Sequence, residues 1–285
     1  MFRNVTRLAL LVVGLLIAST LGCGSGGGDS DGTTLRVGLT DAKPALPDGV
    51  DGVTLTIGEV SVHREGGSWI SLPLARSPYV VDLLQFQGGK TTDLVPPAEL
   101  EPGRYTQLRL SVLSAAIRVS GHDLPLEVPS DFVRTDKNFD LADGGAVDLT
   151  VDFDLSRSLV ATGSGNYKLK PVLHLVETAR AARINGIIAG SAFGTATEAV
   201  VSMSWDADRS GGASAGDEEY TRVVVPKGSQ SPAEFSIFWL VPGEGYLVEV
   251  EIQGAKVYQE FVPAAALPPG ASFALNGGTP IGANP

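Results

Sequence analysis

The sequence predicts an all-β fold, with two β-sandwich-like domains in tandem behind an N-terminal leader and a flexible tether. Three observations carry this expectation. Apolar and polar residues alternate with period two in many short stretches, and no long stretch keeps the 3.6-residue period of an amphipathic helix. Glycine (35) and proline (18) are frequent enough to punctuate those stretches with turns. The residues beyond position 22 suffice for two domains of about 100–150 residues each.

Composition narrows the function classes. The formal net charge is −11, and an acidic chain repels phosphate backbones, so no nucleic acid is expected as a partner. Cys23 is the only cysteine, so no intramolecular disulfide forms and each domain must rest on its own apolar core.

In chain order, Met1–Arg7 carries Arg3 and Arg7 and no acid, and Leu8–Thr20 is apolar apart from Gly14. Small residues follow, then Cys23, which is the layout of an export signal. The apolar run is too short for a membrane-spanning helix, which needs roughly 20 residues. Thr20-Leu21-Gly22-Cys23 resembles the lipobox of bacterial lipoproteins, with Thr20 where leucine is usual. The resemblance implies a lipoprotein signal peptide over 1–22 and a diacylated Cys23 that holds the chain to a membrane through lipid. Each buried acyl CH₂ contributes about 0.8 kcal/mol to such an anchor. An ordinary exported protein with an incidental cysteine is the alternative. Residues 23–33 form the Gly/Ser tether. Gly24, rather than aspartate, follows the cysteine. By the same resemblance the cell envelope is the expected location, and the outer membrane where the organism has one.

The first domain is expected over 34–178. Leu35, Val37 and Leu39 alternate, as do Val53, Leu55 and Ile57, and then Val60 and Val62 take the opposite phase. A flip at Gly58-Glu59 predicts a β-bulge or a break. Glu65-Gly66-Gly67 predicts a turn joining 53–64 to 69–74, and further strands are expected near 79–84, 105–113, 116–120 and 123–128. Val147–Leu155 alternates most cleanly: Val147, Leu149, Val151, Phe153 and Leu155 on one face, Asp148, Thr150, Asp152 and Asp154 on the other. Its expected partner is 167–176, with Lys168 and Lys170 across the ladder. The aspartates then read as the solvated face of an edge hairpin rather than as a cation site.

Leu39-Thr40-Asp41-Ala42, Val53–Val60, Gly67-Ser68-Trp69 and Val81-Asp82-Leu83-Leu84 resemble, in order, segments of the bacterial domain of unknown function 4382 family. Pro102–Leu110, Asp152-Phe153-Asp154 and Gly165–Val172 extend that resemblance, which runs from about Thr34 to Glu177. It implies an exported, mostly β domain often carried by lipoproteins, and it brings no catalytic residue. After an Ala/Arg-rich joint at 178–183, a second domain is expected over 183–280. Ile184-Asn185-Gly186-Ile187 and Leu240-Val241-Pro242-Gly243-Glu244-Gly245-Tyr246 are similar to the carboxypeptidase regulatory-like domain, over about Arg183–Ala274. That resemblance implies an accessory prealbumin-like β-sandwich without peptidase activity.

One loop of the second domain points to chemistry. With Asp206 as position 1, oxygen-bearing residues stand at 1, 3, 5, 9 and 12 (Asp206, Asp208, Ser210, Ser214 and Asp217), and Gly211 at 6. That is the register of an EF-hand-type calcium loop, with Ala213 at position 8, aspartate in place of glutamate at 12, and no helical flanks. Two readings stand: a Ca²⁺ site, and a disordered acidic hairpin tip. No other cofactor is expected. His63, His122 and His174 share no ligand spacing, no G-x-S-x-G elbow occurs, and no catalytic residue is assigned. Trp69, Trp205 and Trp239 are expected in the cores. The expected role is a non-enzymatic, lipid-anchored envelope protein with a protein or glycan partner. The alternative is an exported carbohydrate-active or other hydrolytic enzyme whose acids come together from separate strands.

Overall fold

Alternation positions the first strand as expected: Leu35, Val37 and Leu39 of Thr34–Thr40 are fully buried. In this computed structural model the described residues are 32–41, 44, 46–128, 130, 132–135, 137–162, 166–228 and 232–283. The leader, Cys23 and all of the tether but its last two residues lie outside them. The chain from Asp31 onward forms one compact unit.

Thr34–Thr40 lies inside a four-stranded sheet. It runs parallel to Ala146–Phe153 and antiparallel to Thr92–Glu99, and Leu173–Glu177 completes the sheet beyond Ala146–Phe153. Thr92–Glu99 occupies an edge, where the missing N–H groups of Pro96 and Pro97 break no interior ladder. A second sheet grows on two long antiparallel strands, Val50–Arg64 and Gly103–Val119. Trp69–Leu72 and Tyr79–Asp82 pair with the first of these, and His122–Leu126, Phe132–Thr135 and Phe139–Leu141 with the second. The pairing shifts register on both sides of Ile57, which delivers the expected bulge at Gly58: Ile57 and Val60 are both buried although their spacing is odd. The expected break between 105–113 and 116–120 is likewise a bulge within one strand. The two sheets enclose a core from Leu35 to Leu175.

The Asp-rich strand differs from expectation. Its antiparallel partner is Leu173–Glu177, with Asp152 opposite His174, while Tyr167–Leu169 pairs with Leu159–Ala161. Lys168 instead makes an ion pair with Glu127 at 2.8 Å. Of the supposedly solvated face only Asp148 is exposed; Thr150, Asp152 and Asp154 are buried. A central strand has both faces covered, and the alternation of apolar residues reported only one of them.

A second core runs from Ala182 to Ile281. One of its sheets has the order Glu218–Pro226, Glu198–Trp205, Tyr246–Ile252, Ala255–Val262. The other has Ala233–Leu240, Ala182–Ile188, Ser272–Ala274. Tyr246, Val248 and Val250 share the buried face as expected. The Tyr246 hydroxyl donates to the Val241 carbonyl and accepts from the Val241 N–H, each at 3.2 Å, and so pins the Pro242-Gly243 corner. Gly186 has a packing role: a Cβ there would lie 2.2 Å from Cζ of Phe235, its cross-strand partner.

Candidate functional site

The loop 206–217 is the tip of the hairpin formed by Glu198–Trp205 and Glu218–Pro226. Its turns need residues that tolerate positive φ, supplied by Arg209 (φ 55°) and Gly211 (φ 76°). Asp206, the buried member, accepts from the N–H groups of Ser210 (2.9 Å) and Gly211 (3.1 Å). Asp208 accepts from the Ser214 hydroxyl at 2.7 Å and the Ser210 N–H at 3.0 Å, and Asp217 accepts from the Ser214 N–H at 3.0 Å. The hydrogen bonds from Ser214 and then Ser210 hold the Asp208 carboxyl below its ordinary value. The loop is therefore ordered by its own side chains.

One carboxylate oxygen from each of Asp206, Asp208 and Asp217 lies within 4.8 Å of the other two. Ligands of one Ca²⁺ at 2.3–2.6 Å from the ion are at most roughly 5 Å apart, so these oxygens are within span of a single ion. Ser210 and Ser214 serve here as hydrogen-bond donors that aim the carboxylates. Gly216 was not singled out in the sequence, yet a Cβ at that position would lie 2.5 Å from Asp208 Oδ2. Its presence in an acid-rich hairpin tip was the available signal.

The loop adjoins a cleft between the two cores. Trp205 Nε1 donates to Glu244 Oε2 at 3.4 Å, Arg209 reaches Glu244 Oε1 at 3.6 Å, and the Asp206 N–H donates to the Gly245 carbonyl at 3.0 Å. The cleft encloses about 300 Å³ and is lined by Arg157, His174, Trp205, Glu218, Tyr220 and Tyr246 among others. A hollow of about 180 Å³ shares Lys137, Leu175 and Val241 with it.

Behind the cleft His174 joins the two cores. Its ring stacks on Tyr220 with centroids 4.0 Å apart, and Nε2 lies 3.2 Å from the Tyr220 carbonyl and 3.8 Å from Asp154 Oδ2. Asp41, Asp152 and Asp154 are 1 %, 4 % and 0 % exposed. Asp41 Oδ1 accepts from the Leu155 N–H at 3.2 Å, whereas Asp41 Oδ2 and Asp154 Oδ2 have no hydrogen-bond partner among the described residues. Burial, and then the neighbouring Asp152, pushes the Asp41 carboxyl well above the usual range. Burial likewise raises the Tyr220 hydroxyl. These acids are assembled from separate strands, but they are sealed from solvent.

Contrary to expectation, no tryptophan is fully buried. Trp69 lies on the outer face of the second sheet, where the Arg109 guanidinium is 4.1 Å from its ring centroid and 4.3 Å from that of Phe132. Trp205 is half-buried at the cleft, and Trp239 is half-buried. His63 packs edge-on to Trp69, and His122 is exposed. Among the described residues, no other group of three His, Cys, Asp or Glu gathers as the loop acids do, and no helix is long and apolar enough to cross a membrane.

Residues 32–171 match the family model described as Domain of unknown function (DUF4382). No curated protein matches the sequence. Among solved structures, the chain is similar to a Bacteroides ovatus protein described as a candidate for cell adhesion. Identity is 10 %, coverage is 85 % of this chain and 91 % of that one, and the TM-score is 0.25. It is also similar to the fimbrial anchor protein Mfa2 from Porphyromonas gingivalis, at 11 % identity, 82 % and 84 % coverage and a TM-score of 0.21. Superpositions this loose define neither the fold nor the role of the chain.

Proposed function

We propose that this is a lipid-anchored, non-enzymatic protein of the bacterial cell envelope that presents two β modules, 34–178 and 183–280, for binding. The leader over 1–22, the lone Cys23 and the tether over 23–33 support the anchor, and Gly24 favours the outer membrane. The domain match over 32–171 fits an exported module. The observation that supports the non-enzymatic part is the sealing of Asp41, Asp152 and Asp154, which keeps these three carboxylates from a substrate.

Fractionation and capture test the reading together. Cys23→Ser should move the protein out of the membrane fraction, and an unchanged membrane yield would overturn the lipid anchor. The full chain should recover an envelope protein or glycan from solubilised envelope without turning it over. Hydrolysis that is abolished by Asp154→Asn would establish the enzyme alternative instead.

The loop 206–217 enters the same reading as a Ca²⁺ site that stiffens the cleft rim through Trp205 and Glu244. Calorimetric titration with CaCl₂ should give heat that Asp206→Asn and Asp208→Asn remove. A flat titration at millimolar calcium would end the idea.

A further inference from the structure

We propose that the cleft between the two cores binds an acidic glycan, a chain of sugar rings that bear carboxylates. The inference rests on the reading of the protein as a binding module and names the ligand class of its cleft.

Charge is the first argument. The chain is strongly acidic, yet the wall from the first module contributes Lys137 and half-buried Arg157, whose side chains make no ion pair or hydrogen bond among the described residues. A partly desolvated guanidinium without an acceptor is costly, and a planar carboxylate satisfies it with two parallel hydrogen bonds. Arg134 lines the same wall, so three cations gather on this side of the cleft and attract an anion there.

The facing wall supplies the second argument. Trp205 offers an aromatic surface to the apolar C–H face of a sugar, and Glu244 fixes its indole through Nε1. Glu218, exposed and without an ion pair among the described residues, is an acceptor for hydroxyl groups. Glu219 beside it is held by Arg222 at 2.8 Å. Sugar ring, hydroxyl and carboxylate thus each meet a matching group.

Extent is the third argument. About 300 Å³ is the lower bound of ordinary ligand pockets, and the adjoining hollow continues it past Lys137, as a chain of rings requires.

The test is calorimetric titration of the full chain with galacturonate and mannuronate tetramers, their fully methyl-esterified forms and a neutral cello-oligosaccharide. An acidic tetramer should bind, with an affinity that falls as salt rises and on esterification. The double variant Lys137→Ala/Arg157→Ala should weaken binding at least about tenfold in Kd while its thermal midpoint does not fall, because neither side chain has a partner to lose and the unpaired guanidinium is removed. Trp205→Phe should weaken binding of the acidic tetramer as well. Equal binding of acid and ester, or an unchanged Kd in the double variant, overturns the carboxylate assignment and leaves the binding-module reading standing. Failure of both acidic tetramers overturns the glycan proposal. The binding-module reading then stands or falls separately, on whether the envelope capture recovers a partner.

Discussion

Asp41 ends the first strand in a place where a charge is expensive, with Asp152 nearby and one oxygen lacking a donor. Because its folded-state pKa is raised, the fold prefers the protonated acid. That contribution to stability is fully present below the unfolded-chain value of about 3.9 and is lost as pH rises through the folded-state value. Stability should therefore fall between mildly acidic and alkaline solution. Asp41→Asn keeps Oδ1 as acceptor for the Leu155 N–H and cannot ionise. It should flatten this slope and add about 1–3 kcal/mol at pH 8, the penalty of an unsatisfied buried group. Thermal melts of both proteins at pH 5 and pH 8 check this, and parallel curves for the two would refute it. The burial of Asp152 and Asp154 was not legible in the sequence, for a physical reason. Period-two patterning tells which side of a strand is apolar, whereas the cover over the other side comes from Tyr220, far along the chain. The gathering of Asp206, Asp208 and Asp217 was legible because these acids lie within one twelve-residue turn. The close packing of Gly216 on Asp208 was not, since a glycine in a glycine-rich tip does not stand out.

At the scale of elements, sequence patterning located strands better than it paired them. The hairpin of Val50–Arg64 with Trp69–Leu72 and the bulge at Gly58 follow from local alternation and a turn signal. Thr92–Glu99, Phe132–Thr135 and Phe139–Leu141 escaped because short edge strands containing proline or following a loop carry little alternation. The parallel pairing of Thr34–Thr40 with Ala146–Phe153 spans more than a hundred residues and leaves no local mark. In the second module, the glycine of the Ile184-Asn185-Gly186-Ile187 motif is where the Phe235 ring lies flat across the ladder. Gly186→Ala should cost about 1–3 kcal/mol by overpacking, measured by denaturant melts. Phe235→Leu in the same chain should recover part of the loss; full additivity of the two substitutions would place the Gly186 effect elsewhere.

For the molecule as a whole, His174 and Tyr220 link the two cores by ring stacking and through the Tyr220 carbonyl, beside the Arg222 N–H that donates to the Ser156 hydroxyl and the Pro44–Val223 bridge. His174→Ala should uncouple them, so that calorimetry resolves two thermal transitions in the variant and one in the parent chain. A single transition lowered as a unit would show that the remaining interface suffices. The restart of strand signals after the Ala/Arg-rich joint falls where the second core begins, at Ala182, whereas the docking of one core on the other left no local mark, because it joins residues from distant strands. The first strand has one more consequence, a mechanical one. Thr34–Thr40 emerges from the N-terminal side of the chain directly into the interior of a sheet, gripped by a ladder on each side. A pull on that end along the strand axis acts in shear, so both ladders resist together instead of opening one rung at a time. A load applied at that end is therefore shared by two ladders from its first described strand onward.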